Sequence, residues 1–560
     1  MNKLKFPALL LILIIASSCN SVKKYNETVN AKHSVKDLRK DIDYTFKKIE
    51  KLHPNLYWFI SKESLDAKID SVKNSISEPM TSKEFYFVLS PLVSEIRQGH
   101  NSVGYPMDRM EKEEREKYSK TKNDFNKLHF EKVEDKIIIS EIYDSVKTLL
   151  YAELLKIDTF EVEELINKYN YLRSSDGFNT TFYERREGLF LPSYYRIENP
   201  RLDSVTLTLN LNDSIFDTTF YRVKDTTKGK KKKDKHTDDK LEEEVETPED
   251  KIKRIKKESK EKKRKLIRGY NERTKQYTRD YKFLEDSSIG YLKIRGFMNG
   301  PFNDLYDEFF AEVDSANTST VIIDLRDNLG GRLNEIHYLM GYLATEEFIT
   351  IRDMEAKTRT PRTNALWSSN NQPLIVLVKM VATPFIYTFE QITSEKKDGK
   401  VFHTMKSSKP SEPKENSFKG KVYVIVNGNS FSASSILSTN LQGSGRATVV
   451  GEETGGTYNG TVAGVFKPIT LPNTKVKVQF GLGMISAPYE EKPDGLGVIP
   501  DYTVLPTLIH RKNGIDTELE WILKQIENDK VVEETESDEG TPKEEPVIEE
   551  DENRETEIED

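Results

Sequence analysis

Cysteine is almost missing from this chain: Cys19 is the single one among 560 residues. No intramolecular disulfide can form, and thiolate metal clusters are excluded. Histidine is scarce too, eight in all, and none falls in an H-E-x-x-H spacing, so the helix of a zinc hydrolase is absent. The glycine-rich run Gly451–Gly460 has no Gly-Lys-Ser/Thr ending, which argues against a phosphate cradle. Apolar residues reach only 36% while charged ones reach 32%. That charge gathers in one internal stretch and in the tail, which leaves ordinary globular composition elsewhere. The formal net charge of −8, with acidic blocks directly beside the lysine blocks, gives no reason to expect a nucleic-acid partner. Nothing in these residues asks for a cofactor or a metal.

What is present begins at the N-terminus. Lys3 and Lys5 precede an apolar run, Phe6 to Ala16, interrupted only by Pro7, and then come Ser17, Ser18 and Cys19. A charged start, a short apolar segment and small residues form the layout of a secretory signal. The segment is too short to remain as a spanning helix. With Cys19 directly after Ala-Ser-Ser, the pattern resembles the bacterial lipoprotein box. The resemblance implies cleavage before Cys19, lipidation on its sulfur, and a protein tethered to the cell envelope. Asn20 favours the outer membrane by the same resemblance.

The chain then divides by pattern. Residues 1–18 read as signal and 19–34 as tether. Residues 35–124 read as a helical domain, with Leu38, Ile42, Phe46 and Ile49 at helical spacing and Thr81 with Glu84 as a capping box. Residues 125–223 mix strands (from Lys136, Glu153 and Val205) with a helix from Phe160 to Tyr169, an order resembling a PDZ-like α+β module. Residues 224–286 are blocks of like charge, expected as a solvated linker with one helix near Lys251–Tyr270. Residues 287–525 alternate strands with helices, as an α/β layered core does. Expected strands are Ile289–Ile294, Thr320–Leu325, Pro373–Val378, Lys421–Val426 and Ala447–Val450; expected helices are Leu333–Leu343 and Ser432–Leu441. Residues 526–560 read as a disordered acidic tail.

Two segments carry the chemistry. In Val424-Ile-Val-Asn-Gly-Asn-Ser-Phe-Ser-Ala-Ser-Ser435 an apolar strand ends, a polar turn follows, and small residues open a helix. A serine at that corner meets unpaired helix-N-terminal amides, which favour developing negative charge. In Val321-Ile-Ile-Asp-Leu-Arg-Asp-Asn-Leu-Gly-Gly331 a buried strand runs into paired glycines, which let the backbone aim amides at a bound oxygen.

Taken in order, "VIIDLRDNLGG", "VYVIVNGNSFSASS", "GRATVVGEETGG" and "GLGVIPDYTV" resemble the motif series of the tail-specific (C-terminal processing) proteases, family S41. The N-terminal "HPNLYWF … LSPLVSEIRQGHNS" resembles the helical cap of the branch that includes the tricorn core protease. The resemblance implies a crotonase/ClpP-like catalytic core with Ser432 as an acyl-forming nucleophile. Thr457 stands where other branches carry a lysine base, so His100 is the base that the resemblance supplies. It points to Asp494 as the third residue, with Glu491 and Glu490 as alternatives, while Asp501 ends a strand or caps a turn. It points also to the amide of Gly330 or Gly331, with that of Ala433, as oxyanion donors. Gly99 stands where the branch has a serine. The implied partner is a protein or peptide substrate in the envelope. The alternative is a catalytically inactive ligand- or peptide-binding protein on the same fold.

Overall fold

The computed structural model describes residues 22–142, 147–225, 248–272, 274–368 and 373–539. The signal-like segment, Cys19, part of the charged stretch and the tail from residue 540 lie outside them. After a short helix (Val22–Asn30) come α1 (Val35–Leu52), α2 (Lys62–Ser75) and α3 (Ser82–Ser94). Each begins on a hydroxyl side chain that accepts a backbone amide (Ser34, Ser61 and Thr81), and Thr81 with Glu84 closes the expected capping box. Leu38, Ile42, Phe46 and Ile49 are buried along one face of α1 and join a core with Phe85 and Leu89. Beyond α3 the chain turns through Arg97-Gln98-Gly99-His100 into β1 (Ser102–Gly104). That strand pairs antiparallel with a strand near the C-terminus, Ser102 opposite Gln479. The pairing fastens the histidine loop to a distant part of the sequence.

Residues 121–224 supply a seven-stranded antiparallel sheet packed with the helix Val162–Tyr169 and with α4 (Thr181–Glu198). In its strand Ser204–Leu211, Val205, Leu207 and Leu209 point inward at every second position.

The C-terminal region follows as β2 (Arg279–Leu284), β3 (Ile289–Ile294), β4 (Thr320–Asp324), α5 (Leu333–Leu343), β5 (Asp353–Ala356), α6 (Pro361–Leu366), α7 (Pro373–Thr393), β6 (Ser394–Lys397), β7 (Lys400–His403), β8 (Lys421–Val426), α8 (Ala433–Gly443), β9 (Thr448–Gly451), β10 (Gly460–Thr470), β11 (Lys477–Ser486), β12 (Tyr502–Thr503) and α9 (Thr517–Glu539). One six-stranded sheet has the order β2-β3-β4-β8-β9-β12, parallel throughout except for β2. All five residues of β4 are buried, as expected for a strand covered on both faces. The second, antiparallel sheet runs β1-β11-β5-β7-β6, with β10 also on β11.

Three expectations need correction. Pro373–Val378 is not a strand; it is the first part of α7. A short apolar run cannot set its own period, and here the apolar character continues to Thr393 behind a proline suited to a helix's first turn. The charged stretch does not remain a solvated linker as far as residue 286, because β2 belongs to the parallel sheet. Arg279 in β2 is fully buried and paired with Glu335. Its charge reads as solvent-exposed in the sequence only because the partner lies elsewhere. Finally, residues 526–539 are helical: α9 continues to Glu539, and its Ile522 and Ile526 pack on the sheet.

Candidate active site

β8 is buried along Val422–Val426 and delivers the chain to a turn whose polar groups are satisfied locally. The Ser430 hydroxyl donates to the Leu325 carbonyl at 2.9 Å, and the Asn427 amide donates to Ser430 Oγ at 3.0 Å. Ser432 then takes φ 58° and ψ −117° as the residue capping α8. This conformation is neither helical nor left-handed helical, and it costs a side-chain-bearing residue about 1–3 kcal/mol. Strain of that kind at a strand-to-helix corner thrusts a side chain forward, the geometry of a nucleophile elbow.

Of the serines in the turn and helix start, Ser434 and Ser435 donate to the carbonyls of Asn328 and Ser430. Ser432 Oγ instead stands 3.1 Å from His100 Nε2. The imidazole packs on the rings of Phe431 (4.9 Å) and Phe466 (5.4 Å), and Phe182 extends the row as a tilted ring 4.9 Å from Phe431. Burial among these rings disfavours the imidazolium and lowers the His100 pKa to about 4. At neutral pH the ring is therefore uncharged and able to take a proton.

The expected acids do not meet this pair. Asp494 Oδ2 accepts the Trp58 indole N–H at 2.6 Å and Oδ1 accepts Asn459 Nδ2 at 2.9 Å, so its placement as third residue is corrected. Glu490 pairs with Arg352, and the backbone of Glu491 is tied to Asn459. Among the described residues no carboxylate hydrogen-bonds His100.

The carboxylate that governs the histidine loop is one the sequence reading missed. Asp176, in the polar turn Ser174-Ser175-Asp176-Gly177-Phe178-Asn179 ahead of α4, accepts the Gly99 amide at 2.8 Å and the Thr461 hydroxyl at 2.7 Å. Its burial raises the carboxyl pKa to about 7, against the lowering effect of those two donors. The same turn donates from Asn179 Nδ2 to the Gly455 carbonyl at 3.2 Å, and Thr181 donates to the Glu453 carbonyl at 2.9 Å. It thus ties the histidine loop to β10 and to the glycine-rich loop. The signal available in the sequence was a dense run of Ser, Asp, Gly, Asn and Thr between two apolar segments, which reads equally as an ordinary turn.

The glycine pair is placed beside the serine. A Cβ on Gly330 would fall 2.5 Å from the Phe431 carbonyl oxygen and 2.7 Å from the Ala433 nitrogen, and φ is +89°, so only glycine fits. Its amide, however, donates to Asn328 Oδ1 at 2.9 Å. Gly330 is therefore corrected from oxyanion donor to spacer, leaving the amides of Gly331 and Ala433. At Gly99, where a serine was expected from the resemblance, an added Cβ would lie 2.7 Å from Phe431 Cζ. The phenyl ring occupies that space instead. Thr457 is buried and its hydroxyl bonds the Gly460 carbonyl, a turn contact. Asp501 accepts the Val449 amide at 2.7 Å and Gln442 Nε2 at 3.0 Å, the strand-end role expected of it.

No group of three or more His, Cys, Asp or Glu side chains among the described residues is arranged to hold a metal. Among solved structures, mature CPAF matches with 14% identity and a TM-score of 0.52, covering 86% of this chain and 95% of that one. A serine-to-alanine mutant of CPAF matches over the same shares at 14% identity and 0.55. Mature CPAF complexed with lactacystin matches at 14% identity and 0.54, over 88% of this chain and 97% of that one. These likenesses show a shared fold. Residues 288–504, which carry the strained serine and the glycine pair, match the model of peptidase family S41.

Proposed function

We propose that this chain is a serine endopeptidase in which Ser432 attacks the peptide carbonyl and His100 acts as general base. The observation that carries the reading is the 3.1 Å contact between His100 Nε2 and the Oγ of a serine held in a strained corner. A serine hydroxyl is a weak nucleophile until a neighbouring base takes its proton. As Oγ bonds to the carbonyl carbon, Nε2 receives that proton. It then passes the proton to the departing amine when the C–N bond breaks, leaving an ester on Ser432 that water hydrolyses. The oxygen on which charge develops is assigned to the amides of Gly331 and Ala433, and one such donor contributes about 3 kcal/mol. The antiparallel sheet of residues 121–224, with its two helices, is read as a PDZ-like presenting module, since its α4 turn reaches the site.

The test is labelling of the purified protein by a fluorophosphonate, with Ser432→Ala and His100→Ala as controls. Labelling lost in both variants is the expected result. A folded wild type that is never labelled sinks the reading. The compartment is part of the proposal: Cys19 carries lipid, the enzyme is held in the envelope, and its substrates are envelope proteins or peptides. Metabolic labelling with a fatty acid, abolished by Cys19→Ser, checks the anchor.

A further inference from the structure

The helix α7 has its polarity reversed. Two of its residues are charged, Lys379 and Glu390, and both are turned toward the protein, 6% and 1% exposed. Lys379 Nζ reaches the Ser368 carbonyl at 3.3 Å, while Glu390 accepts the amide and hydroxyl of Thr363 and caps α6. Between them Thr383 accepts the Trp367 indole N–H at 2.9 Å. The outward stripe, spaced by three and four residues, is Val378, Val381, Phe385, Phe389 and Ile392, exposed by 63% at Val381, 75% at Phe385 and 78% at Ile392. The segment Ile375–Thr393 has a mean hydropathy of 1.3 and only 11% of it is buried. A core helix would show the opposite distribution. So large an exposed apolar strip on a soluble domain marks a surface that is covered in use.

We propose that α7 is a lipid-docking helix that lies along a bilayer with its Val381–Phe385–Ile392 face among the acyl chains. Both of its ends return to the same domain, through α6 on one side and through β6 and β7 to β5 of the antiparallel sheet on the other. It therefore lies in the surface and does not cross it. Charge decides between lipid and a second copy of the chain. Residues 357–400 carry seven Lys/Arg against three Asp/Glu, in a chain whose net charge is −8. Exposed Arg359 and Arg362 stand at one end, with Arg362 over the Phe389 ring, and exposed Lys396 and Lys397 stand at the other between Glu395 and Asp398. A two-fold pairing of α7 with itself offers no net acidic end to the basic Lys357–Arg362 end in either orientation, whereas anionic headgroups complement it. The length suits this too: at 1.5 Å per residue the helix is roughly 30 Å long, a narrow strip, while stable protein interfaces take about 800 Å² from each side. Amphipathic helices of this kind sink their apolar face to the boundary between headgroups and acyl chains. The hairpin is also braced to the site, because Lys467 donates to the Trp367 carbonyl at 2.6 Å and its neighbour Phe466 packs on His100.

The experiment uses the chain from residue 19 onward carrying Cys19→Ser, so that no attached lipid contributes. It is floated with vesicles of phosphatidylethanolamine and phosphatidylglycerol, beside a Val381→Ser/Phe385→Ser/Ile392→Ser variant, and both are sized by ultracentrifugation without lipid. The expected result is flotation of the parent and a fall on the order of a thousandfold in partitioning for the triple variant, since each of the three lost apolar side chains is worth about a factor of ten. Circular dichroism melting checks that the variant, altered only on an exposed face, stays folded. Three outcomes overturn the proposal: a parent that stays in the soluble fraction as a monomer, flotation unchanged in the triple variant, or self-association lost in the variant without flotation of the parent. The last would assign the face to a second copy.

Discussion

Replacing Asp176 by alanine removes two acceptors from beneath the histidine loop. Its carboxylate takes the Gly99 amide at 2.8 Å and the Thr461 hydroxyl at 2.7 Å while only 1% exposed. A buried donor left unpaired costs about 1–3 kcal/mol. Relief of the carboxyl's own desolvation, visible in its raised pKa, offsets part of that. The expected net loss is about 2–4 kcal/mol of folding stability, read from urea unfolding. Asp176→Asn retains an acceptor for Gly99 and can donate to Thr461, so its cost stays under about 1 kcal/mol. His100 follows Gly99 directly, so slack in the loop misplaces the imidazole, and a displacement of about 1 Å costs on the order of a hundredfold in rate. The second-order rate of fluorophosphonate inactivation should fall accordingly in the alanine variant and recover in the asparagine variant. The pH dependence adds a further check. With a native pKa of about 7 against an ordinary 3.8, the folded protein keeps a proton that the unfolded chain releases. Stability therefore falls as pH rises between about 4 and 7, and that component is absent from Asp176→Asn. An alanine variant that is folded and inactivated at the parental rate would refute the positioning role.

Other expectations rest on separate contacts. In the Asp176→Asn background, inactivation should persist at pH 5 and reach half its rate near pH 4, because burial holds His100 neutral down to about 4; an inflection near 6.5 would show a solvated ring. The same shift means that the unfolded chain takes up a proton below 6.5 that native His100 resists, so this group lowers stability as pH falls toward 4. Gly99→Ser should destabilise by about 1–3 kcal/mol through the clash with Phe431, seen as a lower melting temperature, with partial recovery in Gly99→Ser/Phe431→Leu. Glu335→Ala strands the buried Arg279 guanidinium, whose Nη2 donates to Glu335 Oε2 at 2.7 Å, and should cost about 3–5 kcal/mol in urea unfolding; a change under 0.5 kcal/mol, the size of an ordinary surface substitution, would contradict the pairing.

Several features could be read from neighbouring residues alone. The capping box at Thr81, the buried parallel strands at Ile289, Thr320 and Lys421, and the serine at the β8–α8 corner each depend on interactions within a few residues of chain. Local propensity and hydrophobic period encode such elements directly. Where one charged or apolar run had to choose a partner, the local reading failed. Arg279 looked solvated because Glu335 is distant, and Pro373–Val378 looked like a strand because its period showed only over the longer helix. Asp494 stood in the right stretch of sequence for an acid, yet Trp58 and Asn459 claim it. Asp176 had no local mark of importance at all. It acquires its role because β1 pairs with β11 and the turn before α4 is wedged between the histidine loop and Thr461. The placement of Ser432 at a strand-to-helix corner thus lay in the sequence, since a corner is made by adjacent residues. The company kept by His100 was decided only by tertiary structure, since packing alone determines which distant polar groups share one buried space.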